Sequence, residues 1–268
     1  MGPVIAVGDA QDDRLDDYRN LTDAELRQRE EPPAGLFMVE GPALIRVLVR
    51  SAYPVRSLLL TEARLAELGP DLADSTGDFP VFVAANDVMR AVTGFHFHRG
   101  ALACAGRRPQ PAWAEVVEGA ALTLVVEDVG DHENIGALFR NAAAFGAGAV
   151  LLSPGSVDPL YRRAVRVSMG QVLRVPWARA LPWPGMVASL KARGFRVLAL
   201  TPDPGTAPLA TVAGASKPTA VLVGTEGRGL TAAARALADA EARIPMRRGV
   251  DSLNVATAAA VALYELTR

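Results

Sequence analysis

Short, nearly continuous apolar runs punctuate the first part of the chain: GLFMVEG at 35–41, VRSLLLT at 55–61, FPVFVAA at 79–85 and GALACAGR at 100–107. Runs of this length without a polar face predict strands buried on both sides. Between them the spacing becomes helical. PALIRVLVRSA (42–52) starts with a proline suited to a first turn, EARLAELGPDLAD (62–74) follows, and NDVMRAVTG (86–94) is expected to be capped by Asn86 or Asp87 and stopped by Gly94. Upstream, YRNLTDAELRQRE (18–30) predicts a helix in which Thr22 and Glu25 form a capping box.

The alternation resumes after RRPQPAWAEVVEG, whose prolines and lack of period predict a linker at 107–118 between domains at 1–106 and 119–268. The second domain carries apolar runs LTLVVEDV, AVLLSPG, FRVLALTP, TAVLVGTEG and ARIPM, with helices between them. Such a pattern predicts an α/β fold with a parallel sheet. The final helix, SLNVATAAAVALYELTR, expected from 252 to about 267, is alanine-rich on nearly every side and must be covered by the sheet, a partner subunit or both.

Composition narrows the setting. Half of the 268 residues are hydrophobic, enough for a sizeable core. No run approaches the roughly 18 apolar residues of a membrane span, and the opening holds Asp9, Asp12, Asp13, Asp16 and Asp17, so a soluble cytoplasmic protein is expected. Cys104, alone among small apolar residues, reads as a structural strand position. The histidines His96, His98 and His132 have no ligand-spaced companions, and no metal is expected. The net charge of -1 hides a split: residues 1–118 hold 12 Arg and 18 acids, while 119–268 hold 16 basic residues and 11 acids. A polyanion would therefore meet the second domain first.

Candidate chemistry concentrates in loops that follow strands, where open parallel sheets collect ligands. In ENIGALFRNAAAFG, Asn134 is a natural N-cap and Arg140 would lean back across Gly136 toward the helix N-terminus, the unfavourable end for a cation. An ion pair with Glu127, Asp128 or Glu133 is the plainer alternative. VLVGTEGRG sets Gly224, Gly227 and Gly229 around Glu226, without matching a dinucleotide fingerprint, and no phosphate-binding loop or nucleophile elbow occurs elsewhere. In RRGVDSLN, Asp251 or Ser252 can cap the last helix, leaving Asn254 without a capping role. GFHFHRG interleaves aromatic, imidazole and arginine groups, and DPLYRRAVRVSMG sets Arg162 and Arg166 on one helix face with Arg163 beside them; both suit RNA or a merely solvated surface.

In this order, NIGALFRNAAAFG, VLVGTEGRGL and IPMRRGVDSLNVATAAAVALYE resemble the three motifs of the SpoU/TrmH family of RNA ribose 2'-O-methyltransferases in the SPOUT superfamily, and SVDPLYRRAVRVSMG resembles its segment between the first two. The resemblance covers residues 120–268; LFMVEGPALIRVLV and GFHFHRGALACAGR resemble the small α/β ribosomal-protein-like RNA-binding domain that precedes it in many members. It implies an α/β fold with a C-terminal trefoil knot, which nothing in the pattern itself would suggest. It also implies a homodimer and S-adenosylmethionine held by Thr201, Gly224, Glu226, Gly229, Ile244, Met246, Ser252, Leu253 and Asn254. Arg140 matches the family's catalytic arginine; Asn134 and Asn254 would orient ribose and loop, Glu226 would shape the glycine loop, and Ser252 would sit near the reacting hydroxyl. Arg99, Arg162 and Arg166, with His96 and His98, are the RNA-contact candidates. Ribosomal RNA is the expected substrate. The alternatives are tRNA, methylation of a base nitrogen, a catalytically silent RNA-binding protein, and a nicotinamide enzyme, which lacks its fingerprint.

Overall fold

The computed structural model describes residues 2–21, 31–75, 77–94, 99–214 and 218–268. Thr22 and Glu25, with most of the helix expected at 18–30, and His96 and His98 lie outside the described residues. Two compact units are present: Met1–Pro109 together with Leu160–Arg166, and Gln110–Pro159 together with Val167–Arg268. Division is therefore not strictly serial, since a piece of the 158–170 segment joins the first unit. The segment expected as a bare linker also contains a helical turn, Trp113–Val116, whose Trp113 and Val116 pack on the second unit's core.

In the first unit, strands β1 (Val4–Ala6), β2 (Leu36–Glu40), β3 (Val55–Leu60), β4 (Val81–Val83) and β5 (Ala101–Gly106) form one mixed sheet in the order β1-β4-β3-β5-β2. Helices α1 (Pro42–Val49), α2 (Glu62–Ala73) and α3 (Asn86–Thr93) connect them. The strands and the three helices expected between residues 35 and 107 all form. Strand β1 was not anticipated, because it is a three-residue edge with an exposed first residue; neither was the 3-10 turn Asp13–Tyr18, capped by Asp12. Helix α3 ends at Gly94 in the left-handed conformation, as its sequence suggests, but its N-cap is Ala85, not Asn86 or Asp87. Cys104 is fully buried in β5.

The second unit contains α4 (Trp113–Val116), β6 (Leu122–Glu127), α5 (His132–Ala144), β7 (Ala149–Leu152), α6 (Arg162–Val167, shared with the first unit), β8 (Trp177–Arg179), α7 (Met186–Ala192), β9 (Arg196–Leu200), β10 (Ala207–Pro208), α8 (Leu209–Val212), β11 (Thr219–Gly224), α9 (Ala232–Leu237), β12 (Ala240–Arg243) and α10 (Val255–Thr267). Its seven-stranded sheet runs β10-β12-β9-β11-β6-β7-β8, and every pairing is parallel. The apolar runs at β6, β7 and β11 are buried nearly end to end, as coverage of both sheet faces demands. From β6 the chain builds outward through β7 and β8, then resumes on the other side of β11 with β9. This change of direction leaves an opening at the carboxyl ends of the central strands, where ligands bind in such sheets.

Candidate active site

At the carboxyl ends of β9, β11 and β12, a cleft of about 410 Å³ opens between three loops. Thr201, Gly224, Glu226, Gly229, Ile244, Met246, Ser252, Leu253 and Asn254 all line it, so residues of the second and third motifs meet there with the end of β9. Leu200, Val223 and Val255 add apolar wall, and Thr225 and Gly227 add backbone. Of these five, Gly227 stands out in the sequence among the loop's glycines, whereas the other four are of types too common at the ends of elements to stand out.

The loop after β11 is possible only with glycine at its root. A Cβ on Gly224 would lie 2.3 Å from the carbonyl carbon of Gly229 and 2.4 Å from Leu230 N, because the loop folds back over that position. Gly229 N–H donates to Thr225 O at 2.9 Å to close the loop, while Gly227 and Gly229 adopt φ of +84° and +64°. A left-handed pair of this kind is strained for other residues. The result is a tight arc of backbone facing an apolar wall. Its volume falls within the roughly 300–1,000 Å³ of small-molecule sites, and its mix of main-chain polar groups and aliphatic wall suits a cofactor with an aromatic base and a polar tail.

Polar side chains tie the loops after β11 and β12 to the first turn of α5. Asn254 Nδ2 donates to Glu226 Oε1 at 2.6 Å and to Asn134 Oδ1 at 2.7 Å, and Asn134 Nδ2 donates to the same Glu226 oxygen at 3.3 Å. Asn254 is also the N-cap of α10: its Oδ1 accepts from Ala256 N and Thr257 N at 3.0 and 3.2 Å. This corrects the expectation that Asp251 or Ser252 caps the helix; α10 begins at Val255, later than expected. Asn134 is likewise not a cap. Asp131 caps α5 by accepting from Asn134 N at 2.8 Å, which frees the Asn134 side chain for the network. Ser252 is exposed at the cleft edge.

Arg140 is the ninth residue of α5, exposed, outside the cleft lining, and without an ion pair or side-chain hydrogen bond among the described residues. The ion pair with Glu127, Asp128 or Glu133 does not form. Because α5 starts at His132, Arg140 lies past the first turn, where the dipole acts weakly on it. Glu127 has a different task, which the sequence did not suggest. Only 1% exposed, it accepts from Trp183 Nε1 and Thr231 Oγ1, both at 2.8 Å, and from Thr231 N at 2.7 Å. Thr231 caps α9 at the far end of the glycine loop, so that loop is anchored by Glu127 on one side and by the two asparagines on the other. A lone acid ending the apolar run LTLVVE was the available signal. Asp128 is held by Ser153 Oγ, which donates at 2.6 Å.

In the first unit, Arg99, Arg162 and Arg166 converge on the buried carboxylate of Glu40 at 3.7, 3.4 and 3.6 Å. Arg162 also donates to Leu21 O at 2.9 Å. The acid that the shared face of Arg162 and Arg166 requires is thus supplied from within the protein.

The pattern of the SpoU rRNA Methylase family matches residues 121–264, the span that forms the cleft and its network. An uncharacterized tRNA/rRNA methyltransferase of Mycobacterium tuberculosis is 49% identical over 98% of this chain and 91% of its own length. The 23S rRNA (guanosine(2553)-2'-O)-methyltransferase of Bacillus subtilis is 28% identical over 96% and 97%. Among solved structures, an AdoMet-bound rRNA methyltransferase from Sinorhizobium meliloti superposes with a TM-score of 0.80 at 26% identity, covering 98% of this chain and 97% of that one. With the family pattern spanning more than half of the sequence and the close relative spanning nearly all of it, the chain belongs to the SpoU family of RNA methyltransferases.

Proposed function

We propose that this methyltransferase transfers a methyl group from S-adenosylmethionine to a ribose 2'-hydroxyl of ribosomal RNA. The observation that carries the reading is the Asn134–Glu226–Asn254 network, which joins the polar ends of all three motifs at the mouth of the glycine-lined cleft. When bound there, the cofactor supplies an electrophilic methyl on a cationic sulfur. Thr201, Gly224, Gly229, Ile244, Met246 and Leu253 would hold it, and Glu226 and Asn254 would keep the glycine loop in shape around it.

Methyl transfer to an alcohol depends on alignment and on stabilising the oxyanion that develops as the proton leaves. Arg140 is exposed and permanently cationic, since a guanidinium does not deprotonate in proteins. Its role is to bind the phosphate beside the target ribose and stabilise the 2'-oxyanion, not to act as a neutral base. Asn134 and Ser252 orient the ribose. The B. subtilis relative, named for 2'-O-methylation of 23S rRNA, favours ribose over base and ribosomal RNA over tRNA.

The same reading includes a trefoil knot around the cleft and a homodimer. Val261 and Tyr264, 39% and 54% exposed, form an apolar stripe on α10 that a second copy would cover. The first unit, with Arg99, Arg162, Arg166, His96 and His98, recruits the RNA. The test is to incubate the protein with methyl-labelled S-adenosylmethionine and, separately, purified ribosomal RNA and tRNA. Label in ribosomal RNA is expected; label in tRNA alone would reassign the substrate, and label in neither would remove the activity.

A further inference from the structure

Two tight turns border the cleft, and each holds arginines outward. Arg228 stands at the tip of the β11 loop, between Gly227 and Gly229, which both line the cleft. Arg247 and Arg248 occupy a second turn, where Val250 N–H donates to Arg247 O at 3.3 Å and Gly249 adopts φ of +86°. Cleft-lining Met246 and Ser252 flank that turn. All three arginines are exposed, and none has an ion pair or side-chain hydrogen bond among the described residues.

Several arginines elsewhere on the surface are matched to acids. Arg46 pairs with Glu67 and Asp71, Arg56 with Asp17, and Arg235 with Glu241. At the cleft rim, by contrast, the carboxylate of Glu226 already accepts from two asparagines, which leaves exposed Asp251 as the acid next to the second turn. The two turns present the three arginines at the cleft edge without burying them. That arrangement adds little to packing, but it suits a polyanion lying across the opening, because planar guanidiniums bind phosphate oxygens in pairs.

We infer that Arg228, Arg247 and Arg248 form a phosphate-binding rim that holds the backbone of the substrate RNA over the cleft. This rests on the RNA methyltransferase reading and adds which residues grip the strand. Each guanidinium that neutralises a phosphate releases condensed counterions, contributing about 0.7 to the slope of log affinity against log salt for a single strand.

The test uses the full chain and a fluorescent 20-nucleotide oligouridylate, titrated by anisotropy across a range of KCl concentrations, with S-adenosylmethionine binding measured in parallel by calorimetry. The triple variant R228A/R247A/R248A is expected to bind RNA at least about tenfold more weakly with a slope shallower by about 2, while cofactor affinity stays within twofold of wild type. R228K/R247K/R248K is expected to retain the slope, because the charge remains. A wild-type slope in the alanine variant overturns the rim, as does an alanine variant that loses cofactor binding along with RNA. If the wild-type protein bound no RNA, the RNA reading itself would fall and take the rim with it.

Discussion

Replacing Asn254 with aspartate separates two tasks that one side chain performs. Through Oδ1 it caps α10, with bonds of 3.0 and 3.2 Å; through Nδ2 it donates to Glu226 at 2.6 Å and to Asn134 at 2.7 Å. Aspartate caps as well as asparagine, and its charge favours a helix N-terminus by about 0.3–1 kcal/mol. The helix should therefore not weaken. The donor side is lost. A hydrogen bond to a charged acceptor contributes about 1.5–3 kcal/mol and a neutral one about 0.5–1.5, reduced here because the groups are exposed. The new carboxylate also faces Glu226, and two such charges about 4 Å apart repel by about 1 kcal/mol even in water. A net loss of about 2–4 kcal/mol in the hold on the glycine loop corresponds to turnover reduced about thirtyfold to a thousandfold. Asn254→Ala removes the cap as well, costing about 0.5–2 kcal/mol of stability. Methyl transfer to ribosomal RNA and thermal melting, measured side by side on both variants, are the assay. The expected result is that both variants lose turnover and that Asn254→Asp, which keeps the cap of α10, melts no lower than Asn254→Ala. An aspartate variant that turned over at the wild-type rate would refute the role given to the network.

Gly224→Ala forces a methyl group into the backbone of Gly229 and Leu230, so we expect about 1–3 kcal/mol of destabilisation and loss of cofactor binding by calorimetry; unchanged affinity would contradict the crossing of the loop over that position. Glu127→Gln leaves a donor facing Thr231 N or the Trp183 and Thr231 side chains, which should lower stability by about 1–3 kcal/mol in chemical denaturation and weaken S-adenosylmethionine binding as well. Burial opposes the charge of Asp239, but the Val197 N–H and the Lys191 ammonium outweigh it and hold the carboxyl below its usual range. Its contribution is present above the ordinary carboxylate value of about 4 and is lost as pH falls below it. Wild type and Asp239→Asn should thus differ most in melting temperature near neutral pH and converge in acid; a constant gap down to the lowest accessible pH would contradict this.

The strands of the second unit were legible because both faces of its sheet are covered, so β6, β7 and β11 read as unbroken apolar runs. Strands β1, β8 and β10 escaped notice because they are edge strands of two or three residues, too short for any period to register. The residues of the cleft were legible through motif resemblance, but their wiring was not. Asp131 and Asn134 are both good N-caps three residues apart, as are Asp251, Ser252 and Asn254. The choice is made by contacts between Asn134, Glu226 and Asn254, positions up to 120 residues apart that only the folded sheet brings together. Glu127 is in sequence only one of three candidate partners for Arg140, since proximity along the chain does not reveal that this strand's last side chain is buried. The start of α5 was likewise not legible: Asn134 reads as its N-cap, but the helix begins at His132.

The central claim is that the methyl group arrives on a ribose oxygen. Ribosomal RNA methylated by the protein with labelled S-adenosylmethionine is hydrolysed to completion in alkali, which requires a free 2'-hydroxyl beside each cleaved phosphodiester. The account predicts that the label appears in an alkali-resistant dinucleotide, and that Arg140→Ala abolishes it while cofactor binding remains. Label recovered in mononucleotides, carried on a base, would contradict it.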